Sequence, residues 1–188
     1  MFGRKKRLRA IDRLNGASWH CAGCGQTHRG MFSLAASSPD VWEGAEAPEA
    51  NSCLRLDGDF LSEDFCVLRG EHFFVRCSFE IPVHGLPEAF GFGIWSTLSR
   101  ANFELYLDGF DSGEYAEMGP WFGWFSNELQ PFGPTLNQKC QVHPQLHRRR
   151  PLISMLDPAN PLAIAQEEGI SPERVMDLYA YYGCHPAP

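Results

Sequence analysis

The longest regular pattern in the chain runs from Phe73 to Val83. Phe73, Val75, Cys77, Phe79, Ile81 and Val83 occupy the odd positions, and Arg76, Ser78 and Glu80 stand among the even ones. A side-chain period of two places the apolar set on one face, so this segment is expected to be a half-buried β-strand. Residues 53–57 and 65–69 read as neighbouring strands, with Gly58 and Gly70 marking turns. Phe90 to Leu98 reads as another strand, in which Phe92 and Ile94 share a face and Gly91 and Gly93 point to close packing or a bulge.

The period then changes. After Ser99, which can cap a helix, Phe103, Tyr106, Leu107 and Phe110 recur at i, i+3, i+4 and i+7. Trp121 to Phe125, Leu136 to Val142 and Arg150 to Leu156 return to strand-like patterns, with Pro151 at the start of the last. Near the C-terminus, Asn160 caps and Pro161 opens a short helix that Gly169 ends. Ser171 caps and Pro172 opens a second, which Gly183 ends. Proline in the first turn and glycine past the last define both helices, and Val175, Leu178, Tyr179 and Tyr182 form the apolar stripe of the second.

A chain of 188 residues, 44% hydrophobic and 13% aromatic, can bury one ordinary core. Residues 1–17 read as a flexible basic arm, 18–188 as a single domain, and 36–52 as a long surface loop. No apolar run reaches the roughly 20 residues of a spanning helix. Arg4, Lys5, Lys6, Arg7 and Arg9 are not followed by an apolar secretory segment, so a cytoplasmic location is expected. Net charge is −7, unevenly spread: residues 40–128 carry seventeen acidic and four basic residues. Such a body repels phosphate backbones, leaving the arm, Arg4 to Arg9, as the one place for weak nucleic-acid association.

Candidate chemistry begins with Cys21-x2-Cys24-x3-His28. Zinc takes soft thiolate and imidazole ligands in a tetrahedron, and a two-residue spacer lets one tight turn offer two sulfurs to one ion. Gly23 and Gly25 ease that turn. The fourth ligand is open among Cys53, Cys66, Cys77, His20, His185 or another group. A metal-free knuckle and a redox pair are the alternatives, but the redox reading expects a preceding strand and a following helix that this segment lacks. With this knuckle at 18–30, the pattern predicts an α+β fold. A mainly antiparallel sheet carries a few covering helices, a zinc-ribbon-like N-terminal knuckle and a C-terminal helical hairpin over 160–183.

Other clusters are weaker. The run from Ala165 through Gly169 to Pro172 has the look of a DNA-reading helical turn. The second helix, however, offers Glu173, Arg174 and Asp177 outside its stripe, the wrong surface for phosphates. Alternation in Trp121-Phe122-Gly123-Trp124-Phe125 separates Trp121 and Phe125 from Phe122 and Trp124; core packing on both faces is the plain expectation. A pocket lined by Trp121 and Trp124, with His72 and His84, is the alternative, and would suit a metal- or histidine-dependent enzyme. His143 and His147 have metal spacing only on a helix, which Pro144 opposes. Phosphate-loop, serine-elbow and zinc-helix motifs are absent.

Four stretches together resemble the bacterial family known as domain of unknown function 2199. They are Cys21-Ala22-Gly23-Cys24-Gly25 with His28; Gly70 to Arg76 leading to Glu80-Ile81-Pro82; Trp121-Phe122-Gly123-Trp124; and Asp157-Pro158 through Pro161-Leu162-Ala163 to Gly169-Ile170. The resemblance spans about residues 18–185. It implies one compact domain and supplies no activity or catalytic residue. The expectation is therefore a non-catalytic binding or interaction domain with a structural zinc knuckle.

Overall fold

The computed structural model describes residues 9–44, 47–113 and 118–187. In chain order, α1 (Ala10–Leu14) precedes a small hairpin of β1 (Ser18–His20) and β2 (Thr27–Arg29). Strands β3 (Leu34–Ala35), β4 (Phe60–Leu61), β5 (Phe65–Leu68), β6 (His72–Ile81) and β7 (Phe90–Leu98) lead to α2 (Arg100–Phe110). Then come β8 (Trp121–Trp124), β9 (Lys139–His143), β10 (Leu152–Met155), α3 (Pro161–Glu168) and α4 (Pro172–Tyr181).

The alternating segment is the spine of the large sheet, whose order is β3-β7-β6-β10-β9-β8. Strands β6 and β7 pair antiparallel along their full length, from Phe73 opposite Leu98 to Ile81 opposite Phe90. The other edge of β6 is shared: β5 pairs antiparallel with its first half and β10 lies parallel at Ser78. Most pairings are antiparallel, as the sequence pattern requires. Gly123 lets β8 close onto β7, since a Cβ there would stand 2.3 Å from Ser96 Oγ. Ser96 bridges Phe125, and Ser126 N–H donates to the Trp95 carbonyl (2.9 Å), so the sheet curls back on itself. Within the curl Phe79 meets Phe125 edge to face, with ring centroids 5.9 Å apart.

Burial follows the pattern with one departure. Phe73, Val75, Cys77, Phe79 and Ile81 are all buried in the main core. Phe74, on the polar side of the alternation, is also buried, in a smaller cluster with Leu61, Cys66 and Trp95 on the opposite face. Each fully buried phenylalanine contributes about 1.5–3 kcal/mol of transfer free energy, so both faces at this end hold the sheet. Helix α2 lies over β5, β6 and β8. Ser99 Oγ caps it, accepting from Asn102 N–H, and Phe103 packs against Phe65 and Phe73.

Two expectations are corrected. Residues 53–57 form no strand: Asn51–Cys53 is a single 3-10 turn, and the strand beside β5 is β4 at 60–61. The apolar residues Leu54 and Leu56 had suggested pairing, but they pack against the core from irregular backbone. Part of the stretch read as a flexible arm is folded: Ala10–Leu14 is helical, Leu14 is buried, and α1 packs on α4. Arg4, Lys5, Lys6 and Arg7 lie outside the described residues. Among the described residues, no helix is long and apolar enough to cross a membrane.

The C-terminal pair forms at the expected bounds. Asn160 Oδ1 accepts from Leu162 N–H (2.8 Å), and Ser171 Oγ accepts from Arg174 N–H (3.1 Å). The turn between the helices is fastened to the end of β6 by His84 N–H to Ile170 O and Ile170 N–H to Pro82 O, both 2.9 Å.

Candidate metal centre

The turn between β1 and β2 is a small loop closed by its own backbone. Cys21 N–H donates to Gln26 O (2.8 Å) and Gly25 N–H to Cys21 O (3.0 Å). The C-terminal tail then runs beside it. Ala22 N–H donates to His185 O, Ala187 N–H donates to His20 O, and Cys21 bridges Pro186 antiparallel. The approach is so close that a Cβ on Gly23 would lie 1.7 Å from the Gly183 carbonyl oxygen. Only glycine fits that position.

This contact delivers Cys184 to the knuckle. Cys184 Sγ lies 3.3 Å from Cys21 Sγ and 3.2 Å from His28 Nε2, and Cys24 Sγ lies 3.2 Å from the same nitrogen. The donor atoms of Cys21, Cys24, His28 and Cys184 all lie within 4.8 Å of one another. A zinc tetrahedron with Zn–S of about 2.3 Å and Zn–N of about 2.0–2.1 Å has edges of about 3.5–3.8 Å. The shortest spacings fall just under those edges and the widest exceeds them by about 1 Å, so side-chain shifts of up to about an ångström seat an ion. Three sulfurs and one imidazole form a Cys3His donor set. With four protein donors, such a centre holds no open position for a reacting water.

The second layer is aromatic. The His28 ring stacks on Phe32 at 4.7 Å and lies 4.9 Å from the Trp19 ring. Phe32 in turn stacks on Tyr179 of α4 at 4.1 Å. Tyr179 O–H donates to Phe32 O (2.6 Å) and its oxygen accepts from Phe32 N–H (2.8 Å). These rings fix the plane of the imidazole. Burial disfavours a thiolate at Cys21, but Cys24 N–H and the Cys184 thiol hydrogen-bond to its sulfur and pull it down to about 6. Burial, and then the neighbouring Cys21 sulfur, hold the Cys184 thiol up.

The three expected ligands are brought together, and the fourth is none of those named from the sequence. Cys53 is exposed in the 3-10 turn and Cys66 and Cys77 are buried in the sheet, while the His185 carbonyl accepts from the knuckle and the His20 carbonyl accepts from the tail. Cys184 was missed because it stands 163 residues from Cys21. The signal that could have found it is its place one residue past Gly183, which ends α4.

The aromatic–histidine pocket does not form as expected. Trp121 is buried under Tyr106 of α2, at 6.2 Å between rings. Phe122 and Trp124 are 48% and 40% exposed, so only one face of β8 packs in the core. Trp124 and His72 do line one shallow cleft with Phe122, but His84 lies past the far end of β6, about 30 Å along a ten-residue strand. His84 Nε2 lies 2.9 Å from the Glu168 carbonyl oxygen. His143, on β9, lies 2.7 Å from Ser154 Oγ, and neither it nor His147 joins the cysteine cluster.

Fold and cluster together define an α+β domain whose two ends meet at a Cys3His site. Over residues 20–170 the sequence matches the family described as an uncharacterized protein conserved in bacteria, DUF2199, and the chain belongs to that family. Cys184 lies beyond the matched stretch. Neither a curated protein nor a solved structure matches the chain.

Proposed function

We propose that this chain is a non-catalytic binding or interaction domain whose termini are fastened together by a structural zinc ion held by Cys21, Cys24, His28 and Cys184. The observation that carries this reading is the convergence of four soft donors within 4.8 Å, drawn from opposite ends of the chain. Borderline-soft Zn2+ prefers thiolate and imidazole in this ratio, and the complete set of protein donors suits a structural centre rather than a reactive one. Thiolate ligands also suit a reducing compartment, so we place the protein in the cytoplasm. When bound, the ion supplies a crosslink between the knuckle and the tail after α4. The protein's part is to present four deprotonated donors and to hold the His28 ring between Trp19 and Phe32.

Cobalt substitution tests the site. Co2+ titrated into zinc-stripped protein is expected to give the intense visible absorption of a tetrahedral thiolate centre, and Cys184→Ser is expected to weaken that band. A weak octahedral spectrum in the parent protein would defeat the assignment.

A further inference from the structure

A second feature shares no residue with the cysteine cluster. The loop between β9 and β10 carries Arg148, Arg149 and Arg150 in succession. It forms one wall of a cleft of about 540 Å3, whose floor is Ser78 and Glu80 of β6 and whose apolar side is Tyr106 and Phe110 of α2. The loop is held in an uncommon shape. His147 and Arg148 both take positive φ, 61° and 58°, a left-handed conformation that non-glycine residues rarely adopt. Gly113, just past α2, makes room for it: a Cβ there would stand 2.8 Å from Arg148 N.

The three arginines are not equivalent. Arg150 is already paired, with Nη2 at 2.7 Å from Glu63 and Nε at 3.0 Å from Asp64. Arg148 and Arg149 have no carboxylate partner among the described residues, although residues 40–128 are strongly acidic. Of the cleft's two acids, Asp64 faces Arg150, and Glu80 stands where this cleft joins its neighbour beside His143 and Gln166. Two unpaired guanidinium forks beside hydroxyl and amide groups match the planar oxygens of phosphate or carboxylate. The aromatic wall would cover an apolar part of the same molecule.

We propose that this cleft binds a small molecule bearing a phosphate or carboxylate group, gripped by Arg148 and Arg149, with the partly exposed Phe110 against its apolar part. The site is separate from the cysteine cluster and does not depend on it.

Calorimetric titration of the whole protein at low salt tests this, using inorganic phosphate and succinate as separate probes. Both hold zinc weakly, so neither strips the cysteine cluster. Saturable binding of one probe is expected; phosphate alone would mark a phosphate site and succinate alone a carboxylate site. Arg148→Asn with Arg149→Ser is expected to weaken it by about tenfold or more, the scale of a lost charge-assisted contact. Asparagine tolerates the left-handed backbone, and Arg149→Ser alone serves as a second variant that leaves residue 148 intact. Zinc content and melting temperature should stay at the parental values in both. Failure of both probes to bind below about 5 mM, or a loss of less than about tenfold in the double variant, would overturn the proposal.

Discussion

At Gly23 the knuckle and the tail after α4 touch through bare backbone. Any side chain there must displace the Gly183 carbonyl, and with it the neighbouring Cys184. Overpacking of this kind costs about 1–3 kcal/mol. Gly23→Ala is therefore expected to lower the urea midpoint and to weaken zinc binding together; a parental midpoint would mean that the contact does not form in solution. Cys184 is tested more directly. Disturbing a group that merely orients a zinc ligand costs about 10–100-fold in affinity, so Cys184→Ser, which removes a ligand, should cost about a hundredfold or more. Competition with a chromophoric chelator measures it. Cys53→Ser, at an exposed thiol outside the cluster, should leave affinity unchanged.

Helix α4 links the core to the Cys3His cluster. Val175 and Leu178 are buried in the main core, while Tyr179 turns toward Phe32 and holds both backbone groups of that residue. Removing that hydroxyl leaves the part-buried Phe32 N–H and C=O without their partner, each a penalty of about 1 kcal/mol, toward the low end for such groups. Tyr179→Phe is thus expected to lose about 2 kcal/mol in equilibrium unfolding. A change within experimental error would show that water takes over those bonds. This helix was also the most legible element in the sequence. Its cap at Ser171, proline at Pro172 and stop at Gly183 all act within a few residues of where they stand. Strand β6 was legible for a similar reason, since alternation is local. The first three donors of the cluster were readable from spacing alone, whereas Cys184 depends on tertiary folding that brings the tail home. The segment at 53–57 misled because apolar residues can reach a core from irregular backbone as well as from a strand. The exposure of Phe122 and Trp124 depends on what covers β8, which alternation does not encode.

At the scale of the whole molecule, six of the seven cysteines divide into a cluster at the meeting of the termini and thiols sealed in the sheet, with Cys53 exposed apart from both. Burial pushes Cys66 up to about 12, and it pushes Cys140 to about 11 against a hydrogen bond from Ser96. Unfolded thiols ionise near 8.5, so the folded state binds these protons more tightly. Their contribution to stability is fully present below about pH 8.5 and is lost as pH rises through the folded values. Urea unfolding should therefore show declining stability from pH 8.5 to about 11, and Cys140→Ala should flatten part of that decline. An identical slope in the variant would exclude Cys140 as a source. The proposed zinc crosslink has a different signature, because it acts on both ends of the described chain at once. Its presence is read most directly by elemental analysis of protein purified without chelator or added metal. About one zinc ion per chain is the predicted result, falling sharply in Cys184→Ser. Less than about a tenth of an equivalent in the parent protein would contradict the account.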